Sequence, residues 1–171
     1  MKTATLLLLI ILSSFVVHAQ NLKTLDDKNG FREYKFGMGH QDIPNLKLVS
    51  EDTVTHTSFY EKTDEKLTIG DATVESIGYG FYNDRLYNVL IKTKGLLNSR
   101  AVLSVMEGLY GKGEQSNQFI EKYFWLGGVV NAFYSQNSIT NDAQIYFGSL
   151  PIVEERKKDA EARAKKAKGD M

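Results

Sequence analysis

His40 and His56 are the side chains best suited to moving protons near neutral pH, because imidazole titrates there without help. The third histidine, His18, falls in an apolar leader described below. Either His40 or His56, with a nearby carboxylate, could serve a hydrolase. A Ser–His–Asp set can be written with either, but no G-x-S-x-G segment supports it. His40-Gln41-Asp42 is too small a donor set for a metal, which normally needs three or four converging ligands. Asp64-Glu65 and Asp71 border a turn without the alternating ligand spacing of a calcium loop. The chain has no cysteine, so thiol catalysis and thiolate–metal chemistry are excluded. No glycine cluster has phosphate-loop spacing after a strand. No metal and no cofactor is expected.

The aromatic residues give the stronger pointer. The chain holds 9 Tyr, 9 Phe and 1 Trp. A two-layer domain needs some of them as core. The remainder are candidates for an interface, where tyrosine and tryptophan combine apolar area with a polar tip. Tyr82, Tyr87, Tyr123, Trp125 and Tyr134 are expected on an open sheet face. The leading expectation is therefore a non-enzymatic protein-binding module, its partner another protein or a second copy of the chain. The alternatives are the His40 or His56 hydrolase and an envelope component docked by its C-terminal helix.

These residues must be positioned by strands and one helix. Phe31–Met38 alternates like a strand, and Pro44 permits only a short helical turn within 40–48. Residues 55–62, 75–82 and 85–92 read as three strands. Asn83-Asp84 makes a two-residue turn, since both residues tolerate positive φ. In that register Ile77, Tyr79 and Phe81 share a face with Leu86, Asn88 and Leu90. Gly78 and Gly80 share the other face with Tyr87, Val89 and Ile91, and glycines there suggest close packing by a helix. Asn98–Tyr110 is a helix capped by Asn98 or Ser99 and ended by Gly111. Residues 119–126 and 129–136 flank Gly127-Gly128 as a second hairpin, with Leu126 opposite Val129. Tyr123 and Trp125 then face the same way as Val130, Ala132 and Tyr134, while Phe124 and Phe133 face the opposite way. Residues 143–149 form a last strand. The sum is an α+β domain over 31–150. Its antiparallel sheet is built from two helix-plus-three-strand units, with the helices on one face.

The ends differ in kind from the middle. Lys2 followed by the fourteen-residue apolar run Ala4–Val17, with Val17 and Ala19 at the −3 and −1 sites, reads as a cleaved signal peptide over 1–19. The run is shorter than the roughly 20 residues of a spanning helix. Export to the periplasm or the medium is expected, without stable membrane insertion. Residues 20–30 read as a polar linker. Residues 151–171 form a charged helix with Pro151 in its first turn. Its acid-first i,i+4 pairs include Glu154–Lys158 and Asp159–Arg163. With 21 basic and 21 acidic residues the chain is neutral overall. That balance argues against nucleic-acid binding driven by bulk charge.

Phe31-Arg32 with Phe36-Gly37-Met38 resembles the entry segment of small secreted bacterial proteins. Leu109-Tyr110-Gly111-Lys112 followed by Tyr123-Phe124-Trp125 resembles a second stretch of the same proteins. The helix-then-sheet repeat over 31–150 is similar to the β-lactamase-inhibitor-protein-like and small outer-membrane-assembly lipoprotein folds. The resemblance implies protein binding through a sheet face or its loops. The chain departs from those families in lacking both the inhibitors' cysteines and the lipoproteins' lipidated cysteine.

Overall fold

The computed structural model describes residues 22–169, so the signal-peptide reading of 1–19 lies outside the described residues. The fold is α+β. An eight-stranded antiparallel sheet runs in the order β3-β4-β6-β7-β10-β9-β8, with β5 paired beside β6. Its strands are β3 (Leu46–Asp52), β4 (Thr57–Lys62), β5 (Thr68–Ile69), β6 (Ala72–Tyr82), β7 (Arg85–Thr93), β8 (Lys122–Leu126), β9 (Val130–Gln136) and β10 (Ala143–Ser149). A small hairpin, β1 (Gly30–Phe31) and β2 (Tyr34–Lys35), stands apart from it. The single strand expected over Phe31–Met38 is thus broken, because Arg32 takes a positive φ of 53° and turns the chain back. Strand β3 was not expected. Its LKLVSED sequence is charged and exposed because it forms an edge, where charged side chains discourage further pairing.

The main core lies on one face. Ile77, Tyr79 and Phe81 of β6 meet Leu86, Val89 and Ile91 of β7, then Ile145 and Phe147, then Ala132 and Tyr134, and finally Tyr123 and Trp125. Helix α2 (Gly95–Tyr110) covers this face with Val102, Leu103, Met106 and Tyr110. Its start lies before the expected Asn98. The Gly95 N–H donates to Asp142 at 2.9 Å, so the first turn is satisfied from the β9–β10 loop. Asn98 instead accepts from the Thr73 N–H, and Ser99 is buried against Thr93. Gly111 ends the helix at φ 79°, as expected of a left-handed terminus.

The expected linker is structural. Residues 22–28 form helix α1, and Leu25 is completely buried in the core. Polar neighbours concealed it, since one buried residue per turn leaves little periodicity. Asp26 of α1 accepts from the N–H groups of Gly128, Val129 and Val130 at 2.6, 3.0 and 3.0 Å. Burial pushes its carboxyl up, but the three backbone donors outweigh this and hold it below the ordinary 3.8. A lowered folded value means that the stabilisation is complete above the ordinary carboxyl range and is withdrawn as pH falls through the folded value. Asp26→Asn should therefore cost about 1–2 kcal/mol at pH 7, the scale of a partly exposed charged hydrogen-bond set. That difference should vanish once the pH lies below the lowered folded value, where the wild-type carboxyl is itself protonated. Urea melts of both proteins at the two pH values check this; a difference that survives at low pH would contradict the role.

Helix α3 (Leu150–Gly169) does not join the others. It lies on the opposite face, where Ile152 and Val153 cover Tyr82 and Tyr87. Polar contacts extend this cover. Arg85 pairs with Glu155 at 2.6 Å, the Tyr82 hydroxyl bonds Asp159, and Arg156 stands 5.3 Å from the Tyr87 ring centroid. The helices therefore occupy both faces rather than one. Asp159 is directed at the sheet instead of serving only a local pair with Arg163. Among the described residues, no helix is long and apolar enough to cross a membrane.

Candidate functional site

Beyond the reach of α3, no element among the described residues covers the second sheet face. Three rows of side chains cross it, because residues directly opposite on paired strands point the same way. The middle row starts at the exposed Glu61 of β4 and continues through Gly78, Leu90, Tyr146, Phe133 and Phe124. Next to it, towards α3, run Phe59, Gly80, Asn88, Gly148, Asn131 and Leu126. On the far side run Ser76, Lys92, Gln144, Ser135 and Lys122. The face is thus apolar in the middle, with two lysines along its outer margin.

Its glycines flatten it. A Cβ on Gly78 would collide with the Phe59 ring, one on Gly80 with the Asn88 carboxamide, and one on Gly148 with the Tyr146 phenol. Close packing at Gly78 and Gly80 was expected from a helix. It comes instead from neighbouring side chains that lie down across the sheet. Phe124 and Phe133 meet with ring centroids 5.0 Å apart. Leu90, Tyr146, Phe133, Phe124 and Phe59 are all half-buried, and Leu126 is exposed. The Tyr146 phenol is pushed up to about 12, mainly by burial and further by Tyr87, so it is a neutral donor at any physiological pH. The amide oxygens of Asn88 and Asn131 are buried without a hydrogen-bond partner among the described residues. They flank Gly148 from the two neighbouring strands, so one unused acceptor lies on either side of it in the row next to the aromatic one. An unmet buried acceptor costs free energy until a donor reaches it.

None of the five aromatic residues expected to form an open surface lies on it. Tyr123, Trp125 and Tyr134 belong to the main core beneath α2, and Tyr134 is fully buried. The Trp125 indole N–H donates to the Gly111 carbonyl at 2.7 Å, and the Tyr134 hydroxyl to Gln136 at 2.8 Å. Tyr82 and Tyr87 are on the other face, under α3. The two sets are on opposite sides of one sheet. The residues that do floor the open face include Phe124 and Phe133, whose orientation away from Trp125 was readable from alternation alone.

His40 and His56 share one cleft of about 480 Å³, with Glu51, Ser58, Tyr60 and Asp84. His40 Nδ1 pairs with Asp84, and the imidazole stacks on Tyr60 with centroids 5.5 Å apart. A carboxylate thus orients one histidine, as the hydrolase alternative requires. Both side chains of that pair are about half exposed, at 44% and 50%. In high-dielectric surroundings such a pair contributes little free energy. His40 is held through Nδ1, and no hydroxyl is bonded to its other ring nitrogen among the described residues. No cluster of three or more His, Asp or Glu suited to a metal occurs among the described residues.

No protein-family model, curated protein or solved structure matches the chain.

Proposed function

We propose that this is a non-enzymatic protein-binding module, exported by its N-terminal leader, that engages its partner through the open sheet face. The half-buried row Leu90–Tyr146–Phe133–Phe124, bordered by the unpartnered oxygens of Asn88 and Asn131, carries the reading. A partner segment laid along this row would cover apolar area and supply the missing donors. Lys92 and Lys122 on the margin favour acidic flanks on that segment. The His40 cleft receives less weight, since its histidine–carboxylate pair is exposed and addresses no nucleophile. Docking by the tail also receives less weight, since α3 is tied to its own sheet by Ile152, Glu155 and Asp159.

The same reading extends to the architecture. We take the domain as two helix-plus-strand units, β4-β6-β7 after the turn at His40–Asp42 and β8-β9-β10 after α2. In support, their third strands, β7 and β10, meet at the sheet centre and the order mirrors outward on either side.

Replacing Leu90 and Phe133 together by lysine tests the binding role. Half-buried positions tolerate polarity, so the melting temperature should fall by only a few degrees. Retention of the partner that the wild type holds in matched extracts should drop at least tenfold, as expected when central apolar anchors are lost. Equal retention by the folded double variant would remove this face from consideration. Sedimentation at rising concentration separates a second copy from a foreign partner.

A further inference from the structure

We propose that the cavity between α2 and the β1–β2 hairpin is a binding site for a small apolar carboxylate, one ring or a short chain with an anionic head. The site lies on the core side of the sheet, so it is independent of the open face.

The cavity holds about 200 Å³. An engineered cavity of about 150 Å³ lined by aliphatic and aromatic side chains stays dry and takes up benzene. The present one is large enough for a single ring with a short substituent. Its walls are apolar. Phe31 and Tyr110 both pack on Phe147, with centroids 6.0 and 6.2 Å away, and Val105 and Met106 of α2 close the opposite side. A sugar or a free phosphate would find no set of donors there, and its desolvation would go uncompensated.

Two polar groups interrupt the apolar lining in a way that selects a head group. The Tyr110 residue is only 8% exposed, yet its hydroxyl has no hydrogen-bond partner among the described residues. Burial alone pushes this phenol up, with no charged neighbour contributing, which keeps it a neutral donor. A hydroxyl without a protein acceptor is free to donate to a ligand oxygen in place of water. The second group is Lys28 at the cavity's margin. Nearby cations are engaged: Lys23 pairs with Asp27, Lys35 donates to the Lys28 carbonyl, and the Arg32 guanidinium serves Glu65 and the carbonyls of Lys66 and Thr68. The Lys28 ammonium, by contrast, makes no hydrogen bond or ion pair among the described residues. An apolar chamber with one unmet hydroxyl and one uncommitted cation at its edge matches an apolar acid better than a neutral hydrocarbon.

Phenylacetate and its neutral counterpart 2-phenylethanol are suitable probes, titrated into the protein as recovered from expressing cells. Methionine-methyl NMR is the readout. Saturable movement of the Met106 methyl, with the Met38 methyl unmoved, is expected for phenylacetate below about 10 mM, within reach of a ligand of this size. Lys28→Gln should weaken phenylacetate about tenfold and leave 2-phenylethanol unchanged, the scale of one charge-assisted contact. Val105→Phe should fill the chamber and abolish both titrations. Should that variant fail to fold, the Lys28→Gln comparison decides by itself. An unmoved Met106 methyl at saturating probe, or equal phenylacetate affinity in wild type and Lys28→Gln, would overturn the assignment.

Discussion

Trp125→Ala should lower the free energy of unfolding by about 3–5 kcal/mol, the range for removing a fully buried large aromatic side chain. The indole is 2% exposed and packs against Tyr123, with ring centroids 6.5 Å apart. Gly113 lies so close that a Cβ there would press on the indole ring. The lost N–H bond to Gly111 adds to the cavity, because that carbonyl closes the end of α2 and would be left without its donor. Strand β8 and the C-terminus of α2 are thus fastened by one side chain. Guanidinium melts followed by far-ultraviolet dichroism check the size. A loss below about 1 kcal/mol would mean that the site collapses freely or that the indole is not core. Trp125→Phe should recover most of the packing but not the bond, and so fall between the two.

Arg32→Met should cost about 3 kcal/mol, near the lower end for breaking a buried ion pair by removing one partner. The guanidinium pairs with Glu65, whose side chain is only 6% exposed. The other carboxylate oxygen accepts from the Tyr79 hydroxyl at 2.6 Å, deep in the core. Burial first, and the Glu65 carboxylate second, push the Tyr79 phenol well above its ordinary value, so it stays a donor. With Arg32 gone, Glu65 retains a single neutral donor in a low-dielectric setting, which cannot compensate its charge. The double variant Arg32→Met, Glu65→Met should recover most of the loss, since a buried pair is often no better than apolar residues of similar volume. A double-mutant cycle by urea melts reads this out. If the double variant is as unstable as the sum of the single ones, the two groups do not act as a pair.

Two hairpins show how far local pattern reaches. Around Gly127-Gly128, the expected register paired Leu126 with Val129, whereas the structure pairs it with Asn131. The loop is longer because Asp26 captures three of its N–H groups. A shift of two leaves every side chain on its own face, so Tyr123, Trp125, Val130, Ala132 and Tyr134 still share one side, opposite Phe124 and Phe133. Around Asn83-Asp84 the turn is as expected, with both residues at positive φ and Tyr82 opposite Arg85. A bulge then intervenes between Gly80 and Phe81, and Gly80 pairs with Asn88. That shift of one exchanges the faces beyond it. Val89 and Ile91 therefore join Tyr79 and Ile77 in the core, and Asn88 and Leu90 emerge on the open side.

The fold class, the antiparallel pairing, the Asn83-Asp84 turn and the C-terminal charged helix followed from residue types and their periods, because those signals are local. Alternation along one strand divides its side chains into two sets, and α-helical spacing marks the stretch ending at Gly111. Which set is covered depends on contacts far apart in the chain. Asp142 sets the start of α2, α1 contributes Leu25 to the core, and α3 crosses to the opposite face through Ile152 and Tyr82. Tyr87 and Trp125 are both large amphipathic aromatics on strands, yet one lies beneath α3 and the other beneath α2. Tyrosine and tryptophan serve equally well as core or as interface, and only the elements packed over them decide between the two.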